Sequence, residues 1–452
     1  MSTPQFAYGN DYRVAQGALP GAGVPWLQGL RDHAIDSLLE QGFPTPRDEE
    51  WKYTDLRSLT RRHYSMAGDR RRVAAASLEP WIWRDAPAYR LVFIDGRYAP
   101  ELCTLGSGLT GVTITSLARV LEERPESLAG LLGRNVDTGQ PGFNSFNTAF
   151  MRDGACIELN QGVVLDRPIH LLFVATGRNA GLAVLRNIII AGAHSQATVI
   201  ESYVALGDAA SLTSAVTEIT LEAGAGLEHY KLEQESETAS HVAGIHVVQG
   251  RDSRFTSHNV ALGGNLVRND LQVALNGPGA EAVLNGLSVT RGRQHVDNNT
   301  LIEHNTPQAS SREAYRGVLD GRSRCVFNGR IVVHRDAQGS AARQTSHNLL
   351  LSDAAEVDAK PQLEIYADDV QCSHGCTVGQ LDQEALFYFR SRGVAEKLAR
   401  SLLIYAFAAD VLDGIRIKPV RRLLEQELAG RLMVSDALDL YREQVPENRQ
   451  RE

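Results

Sequence analysis

Residues 188–206 read IIIAGAHSQATVIESYVAL, and three later stretches follow the same plan. They are ITLEAGAGLEHYKLEQES (219–236), VALNGPGAEAVLNGLSV (273–289) and GVLDGRSRCVFNGRIVV (317–333). Each is a β-favouring run, a corner that bears glycine, and a second β-favouring run. The spacing is irregular, about 25 to 35 residues, inside the window of repeat architectures. From about Ile157 to Val378 the chain keeps this character and shows no convincing amphipathic helix. A β-sandwich suits strands of this length, but it does not require one repeated corner. A parallel β-helix, or solenoid, does: each coil stacks on the last, and its corners need residues that tolerate positive φ.

Outside this region the pattern changes. PWLQGLRDHAIDSLLEQGFP (25–44) places Leu27, Leu30, Ala34 and Leu38 on one helical face, and Gly42 and Pro44 end it. The basic cluster Arg61, Arg62 and Arg70–Arg72 reads as a solvated face. In YRLVFIDGRYAPEL (89–102), Asp95-Gly96 between two apolar runs is a hairpin signal. After Gly379 helix returns. Asp382 is a suitable N-cap for a helix that ends at Gly393. The next carries Val394, Leu398, Leu402, Tyr405, Ala409 and Leu412 on one stripe, bounded by Gly414 and Pro419. Such a tail caps the open end of a solenoid or presents an apolar groove to a partner. The expected organisation is an N-terminal helical segment (1–88), a β-helix core (89–379) and a C-terminal helical segment (380–452).

Composition bounds the function. With 452 residues and 43% hydrophobic content the chain is globular, and its net charge of -8 argues against a general nucleic-acid binder. No apolar run approaches the roughly 20 residues that span a bilayer. The first residues, MSTPQFAYGNDYR, lack a basic and then apolar secretory pattern. Five scattered cysteines suit a reducing compartment, so the expected location is cytoplasmic. There is no Gly-Lys dipeptide and hence no Walker A loop, and neither H-E-x-x-H nor G-x-S-x-G occurs. GPGAEA (277–282) matches a relaxed dinucleotide fingerprint, but β-rich sequence comes after it where a helix is needed, so it reads as a solenoid corner.

Two constellations carry candidate chemistry. In GRQHVDNNTLIEH (292–304), His295 and Asp297 share a strand face and His304 lies nearby. Without the spacing of a metal site they read as a hydrogen-bonded solenoid interior. In QCSHGCTVG (371–379), Cys372, His374 and Cys376 alternate and would share one strand face. Neighbours on that face are roughly 6.6 Å apart at Cα and the outer pair roughly 13 Å. An i, i+2 pair can therefore converge on one ion, whereas the outer pair needs a bend, which Gly375 could supply. A closed zinc site would need a fourth ligand from elsewhere. The stretch could give two ligands to a transient or shared site, or simply pack.

The chain resembles the SufB/SufD family of iron–sulphur cluster assembly scaffolds, on the SufD side. The motifs that carry the resemblance are FPTPRDEEWKYTDL (43–56), GRQHVDNNTLIEH (292–304), SREAYRGVLDGRS (311–323), SRCVFNGRIVVHRDAQGS (323–340), QTSHNLLLSDAAEVDAKPQLEI (344–365), KPQLEIYADDVQCSHGCTVGQLDQEALFYFRSRG (360–393) and IYAFAADVLDGI (404–415). SufB-type chains carry His-Glu-Ala where this one has His374-Gly375-Cys376.

The resemblance implies a mainly β fold, a right-handed parallel β-helix flanked by N- and C-terminal helical segments. It implies a SufB-type paralogue as partner, with homodimerisation possible when the chain is isolated. It also implies a SufC-type ATPase held by the C-terminal helices, here Leu398, Leu402 and Tyr405. A nascent Fe–S cluster would form at the SufB–SufD interface with His374. Cys372 is the second candidate ligand and Cys376 a weaker one, because relatives often carry a small non-thiol residue there. The chain would bind no nucleotide and catalyse nothing alone, while a reduced flavin could act at the level of the complex. His347 replaces a more usual amide and has no assigned role. Two other readings remain: a secreted-type β-helix carbohydrate-active enzyme, and a purely structural β-helix homodimer.

Overall fold

The computed structural model describes residues 4–66, 71–83, 86–106, 109–139 and 142–432. Arg70 of the basic cluster and residues 433–452 of the C-terminal segment lie outside them. The chain is mainly β, and its centre is a parallel β-solenoid of about 7 turns. Two ten-stranded sheets form its walls. From Gly181 onward each coil gives one strand to each wall, and each strand pairs in parallel with the strand one coil away. Because side chains alternate, every second residue enters the lumen. There a continuous core runs from Leu91 and Phe93 to Phe327, Ile331 and Val333.

The repeated corners explain the glycines. His194, Gly224, Asp252, Gly279, Gln308 and Gly339 all have positive φ. Their backbones link coil to coil, for example His194 N to Ala223 O and Gly224 N to Arg251 O. A Cβ on Gly224 would sit 2.3 Å from His194 Nδ1, and one on Gly279 2.2 Å from Asp252 Oδ1. At those two corners the residue one coil below carries a side chain, and only glycine leaves it room.

The closed end is finished by antiparallel strands. Val112–Ser116 pairs with Ala155–Leu159. Arg97–Tyr98 folds back on Tyr89–Ile94 through Asp95 and Gly96, both at positive φ, as the Asp-Gly signal predicts. The Pro25–Gln41 helix forms as the periodicity predicts. With the Pro4–Ala15 and Phe143–Phe150 helices it builds a second core around Tyr8, Tyr12, Phe143, Phe146 and Phe150. That core covers Leu182, Val184, Leu212, Val242 and Leu266 on the outside of one wall.

His295 and Asp297 are hydrogen-bonded as expected, but on the outer face rather than in the interior. Thr54 donates to Asp297, Arg268 Nη1 lies 2.5 Å from Asp297 Oδ2, and the Arg268 guanidinium stacks 4.0 Å over the Trp51 ring. His295 Nε2 lies 2.9 Å from Thr54 Oγ1. The WKYTD motif thus docks on the HVD motif, 241 residues away in sequence. His304 bonds Ser311.

The C-terminal helices are Gln383–Ser391, Glu396–Leu412 and Lys418–Leu432. Asp382 caps the first, accepting from Glu384 N and Ala385 N, and Gly393 ends its turn at φ +84°. Pro419 opens a third helix. Among the described residues the tail does not cap the open end. Ile404, Ala408, Val411, Leu412, Val420, Leu424 and Leu428 pack on Ile200, Tyr230, Leu232, Val260, Leu287, Val318 and Leu349. It therefore lies along the flank of the second wall. Arg316 ties it there through Phe407 O and Asp410.

Candidate functional site

The last coil consists of Glu356–Ile365 and Val370–Gly379. Among the described residues no further strand pairs with either, so each presents an unpaired parallel edge. Val370–Gly379 is regular: every residue pairs in order with Ser340–Leu349. Gly375 therefore introduces no bend, and a Cβ placed on it would meet nothing within 4 Å. Cys372 and Cys376 stay roughly 13 Å apart at Cα and cannot share one ion.

The register fixes where these side chains point. Cys372 stands over Ala342, His374 over Gln344 and Cys376 over Ser346. All three lower residues are buried in the lumen. The three candidate ligands therefore face the lumen mouth and are accessible only because no further coil covers them. Cys372 is half-buried and packs against the central core, while His374 and Cys376 are exposed. Partial burial pushes the Cys372 thiol up, countered in part by a backbone hydrogen bond at Ala342. Partial burial also raises the Cys376 thiol. Neither cysteine is held as a thiolate, the form that binds metal. His374 is an exposed imidazole between them on the same strand face.

Beneath His374 lies a stacked column that runs down the wall. It reads Ile169, Val199, His229, Ser257, Leu284, Glu313, Gln344, His374. Gln344 Nε2 donates to Glu313 Oε2 at 2.5 Å. Burial pushes the Glu313 carboxyl up to about 7, although hydrogen bonds from Thr300 and Gln344 pull the other way. An acid that titrates near neutrality thus lies two coils below the mouth. Sequence reading passed over Glu313 and Gln344. Each sits in an alternating strand pattern, and only the inter-coil register aligns them with His374.

The rim is apolar and exposed at Ile365, Tyr366 and Val378. On the Gln383–Ser391 helix, Phe387 is 72% exposed and Tyr388 58%. Of the tail residues expected to meet a partner, Leu398 and Leu402 are half-buried and Tyr405 is 3% exposed. Tyr405 belongs to this chain's own packing, whereas Leu398 and Leu402 keep partial exposure. His347 lies on the outer face, 2.7 Å from Thr377 Oγ1.

Comparison with known proteins divides the chain near residue 172, within the β region. Residues 173–407 match the family model described as SUF system FeS cluster assembly, SufBD core domain, and residues 3–171 match the SufBD protein N-terminal region. An iron–sulfur cluster assembly SufBD family protein of Synechocystis is 33% identical over 88% of this chain and 90% of its own length. The iron–sulfur cluster assembly protein SufD of Escherichia coli is 32% identical over 88% of this chain and 91% of its own. The chloroplastic protein ABCI7 of Arabidopsis thaliana is 27% identical over 92% and 88%.

Proposed function

The chain belongs to the SufBD family and has its role in iron–sulphur cluster assembly, and we propose that it acts there as a non-catalytic scaffold subunit whose open end pairs with a SufB-type paralogue. One observation carries this reading: among the described residues the last coil is an unpaired parallel edge with an apolar rim and an accessible imidazole at the lumen mouth. An unpaired edge of this length invites strand-by-strand association. Stacking a second solenoid on it would bury Ile365, Tyr366 and Val378 and bring partner side chains to His374.

The substrate there is a nascent Fe–S cluster. Neutral imidazole is a borderline ligand suited to iron, and one ligand per subunit keeps the site open and labile. His374 is the primary ligand, Cys372 the second and Cys376 the weakest. Phe387, Tyr388, Leu398 and Leu402 form the surface for a SufC-type ATPase, with Tyr405 supporting it from within. Any reduced flavin belongs to the assembled complex. Among the described residues no helix is long and apolar enough to cross a membrane, and a cytoplasmic location fits the free cysteines.

The test is anaerobic reconstitution with both partners, measuring bound iron and sulphide. His374→Ala is expected to keep folding and both partner contacts and to lose cluster formation. Cys372→Ser is expected to slow it less. A His374→Ala complex that builds clusters at the wild-type rate sinks the assignment.

A further inference from the structure

Far from the open end, a second group of ligating side chains meets inside the solenoid. Glu233 is the penultimate residue of the Gly226–Gln234 strand, Glu235 lies just beyond its end, and His241 is the second residue of the Ser240–Gln249 strand of the other wall. The corner between them turns all three side chains onto one point. His241 Nδ1 lies 2.8 Å from Glu233 Oε1 and 2.8 Å from Glu235 Oε2. One ligand atom from each residue lies within 4.8 Å of the others. Adjacent ligands of an octahedral ion with bonds of about 2.1 Å are about 3.0 Å apart, close to the two His241–carboxylate separations, which here are ion pairs. Glu233, Glu235 and His241 are at most 5% exposed.

Two further observations point to a ligand. Glu233 Oε2 is buried and, among the described residues, has no hydrogen-bond partner. An ionised oxygen left in that state is costly unless a cation or donor reaches it. In addition, a cavity of about 30 Å³ adjoins the cluster, lined by Gly96, Gly177, Arg178, Tyr203, Thr213 and Glu235. That is room for a water or two and no more. Thr213 Oγ1 donates to Glu235 Oε1 at 2.7 Å and orients the carboxylate, as an outer-sphere partner does.

We propose that Glu233, Glu235 and His241 form a site for one first-row divalent cation of the Mn²⁺ or Fe²⁺ class, entered through the cavity beside Glu235. Two carboxylates and one imidazole select that class over the thiophilic ions. Lys231 is the competitor. Its Nζ bonds His241 Nε2 and Asn269 Oδ1 at 2.9 Å each and lies 3.4 Å from Glu233 Oε1. Taking Nδ1 as a ligand moves the ring proton to Nε2, directly opposite the ammonium. The site lies five strand spacings below Val370–Gly379, about 24 Å at about 4.8 Å each. It is separate from His374 and does not rest on the role proposed for it.

The experiment uses the full chain, stripped of metal, titrated with Mn²⁺ and monitored by the loss of the free-ion EPR signal and by equilibrium dialysis. Mn²⁺ avoids the thiols. The wild type is expected to retain one Mn²⁺ per chain. Glu235→Gln and His241→Gln should each weaken binding about tenfold or more, with folding checked by melts. Lys231→Met should tighten it, and His374→Ala should leave it unchanged. No retained Mn²⁺, or retention indifferent to Glu235→Gln, overturns the site. If Glu235→Gln does not fold, Lys231→Met decides: binding no tighter than wild type also overturns it.

Discussion

One column of stacked side chains begins beside the closed end at Ile169 and reaches the open end at His374. At the closed end, antiparallel strands satisfy the edges, and Ile169 is fully buried beneath Tyr89. At the open end the same column finishes in an exposed imidazole under which Gln344 and Glu313 are hydrogen-bonded. The repeat is the same, so the difference lies in how each end is finished. A parallel edge ten residues long is a hazard in a free chain. Its presence here, with an apolar rim, fits the pairing proposed for this end.

The sharpest contrast is between the two ends of that column. Ile169→Ala removes methylenes from a closed core and should cost about 2–5 kcal/mol. His374→Ala, at a surface position, should change stability by no more than about 0.5 kcal/mol. Denaturant unfolding of the two variants measures both. Similar costs would mean that the last coil is as tightly held as the first, and the comparison would fail.

The rim gives the second contrast. Ile365→Lys with Val378→Lys places two charges on the surface proposed to be covered. Binding to the SufB-type paralogue should weaken about 30-fold, the loss of a typical interface hot spot, while the melting temperature of the isolated chain stays close to wild type. Binding at wild-type strength would show that partners approach elsewhere. Deleting everything from Gln383 onward is a poor probe of partner contacts. Ile404, Val411, Leu412 and Leu424 cover the flank, and their removal exposes Leu232, Leu287 and Val318.

The corners were legible in the sequence because positive φ and repeated Gly leave a local signature, as in Gly224, Gly279 and Gly321. The Asp382 cap and the Asp95-Gly96 hairpin are local for the same reason. The role proposed for His374 rests on resemblance, since an exposed histidine in a strand has no pattern of its own. The tail's place on the flank was not legible: its stripe is apolar whether it meets this chain or another, so Tyr405 read as a contact residue although it is buried. Nor were Glu313 and Gln344, because neighbours in a column are about 30 residues apart in sequence and alternation alone does not say which face is inside.

Glu313 gives the pH test of the open end. Its carboxyl is raised to about 7 in the folded chain by burial, against an ordinary value of 4.5. A carboxyl raised on folding adds stability below its unfolded value and loses it as pH rises through the folded one. Wild type should therefore lose stability relative to Glu313→Gln between about pH 4.5 and 7. Melts of both chains across that window check it. Parallel profiles would mean that the acid under the mouth is not strained. In the same column the closed end offers only Ile169 and Val199, which do not titrate.

The smallest effect is expected at Cys376. It shares the strand face of His374 but stands roughly 6.6 Å farther along at Cα, over Ser346, and no bend at Gly375 brings it nearer Cys372. Its thiol is raised by partial burial, which keeps it protonated and a poor ligand. Cys376→Ser preserves size and polarity, so stability, paralogue binding and the rate of cluster formation in the reconstituted complex should all match wild type. The comparison is with Cys372→Ser, which alters the residue packed at the other side of His374. If Cys376→Ser slows assembly more than Cys372→Ser does, the cluster lies on the outer half of the strand, toward Val378. The primary ligand pair would then be His374 with Cys376.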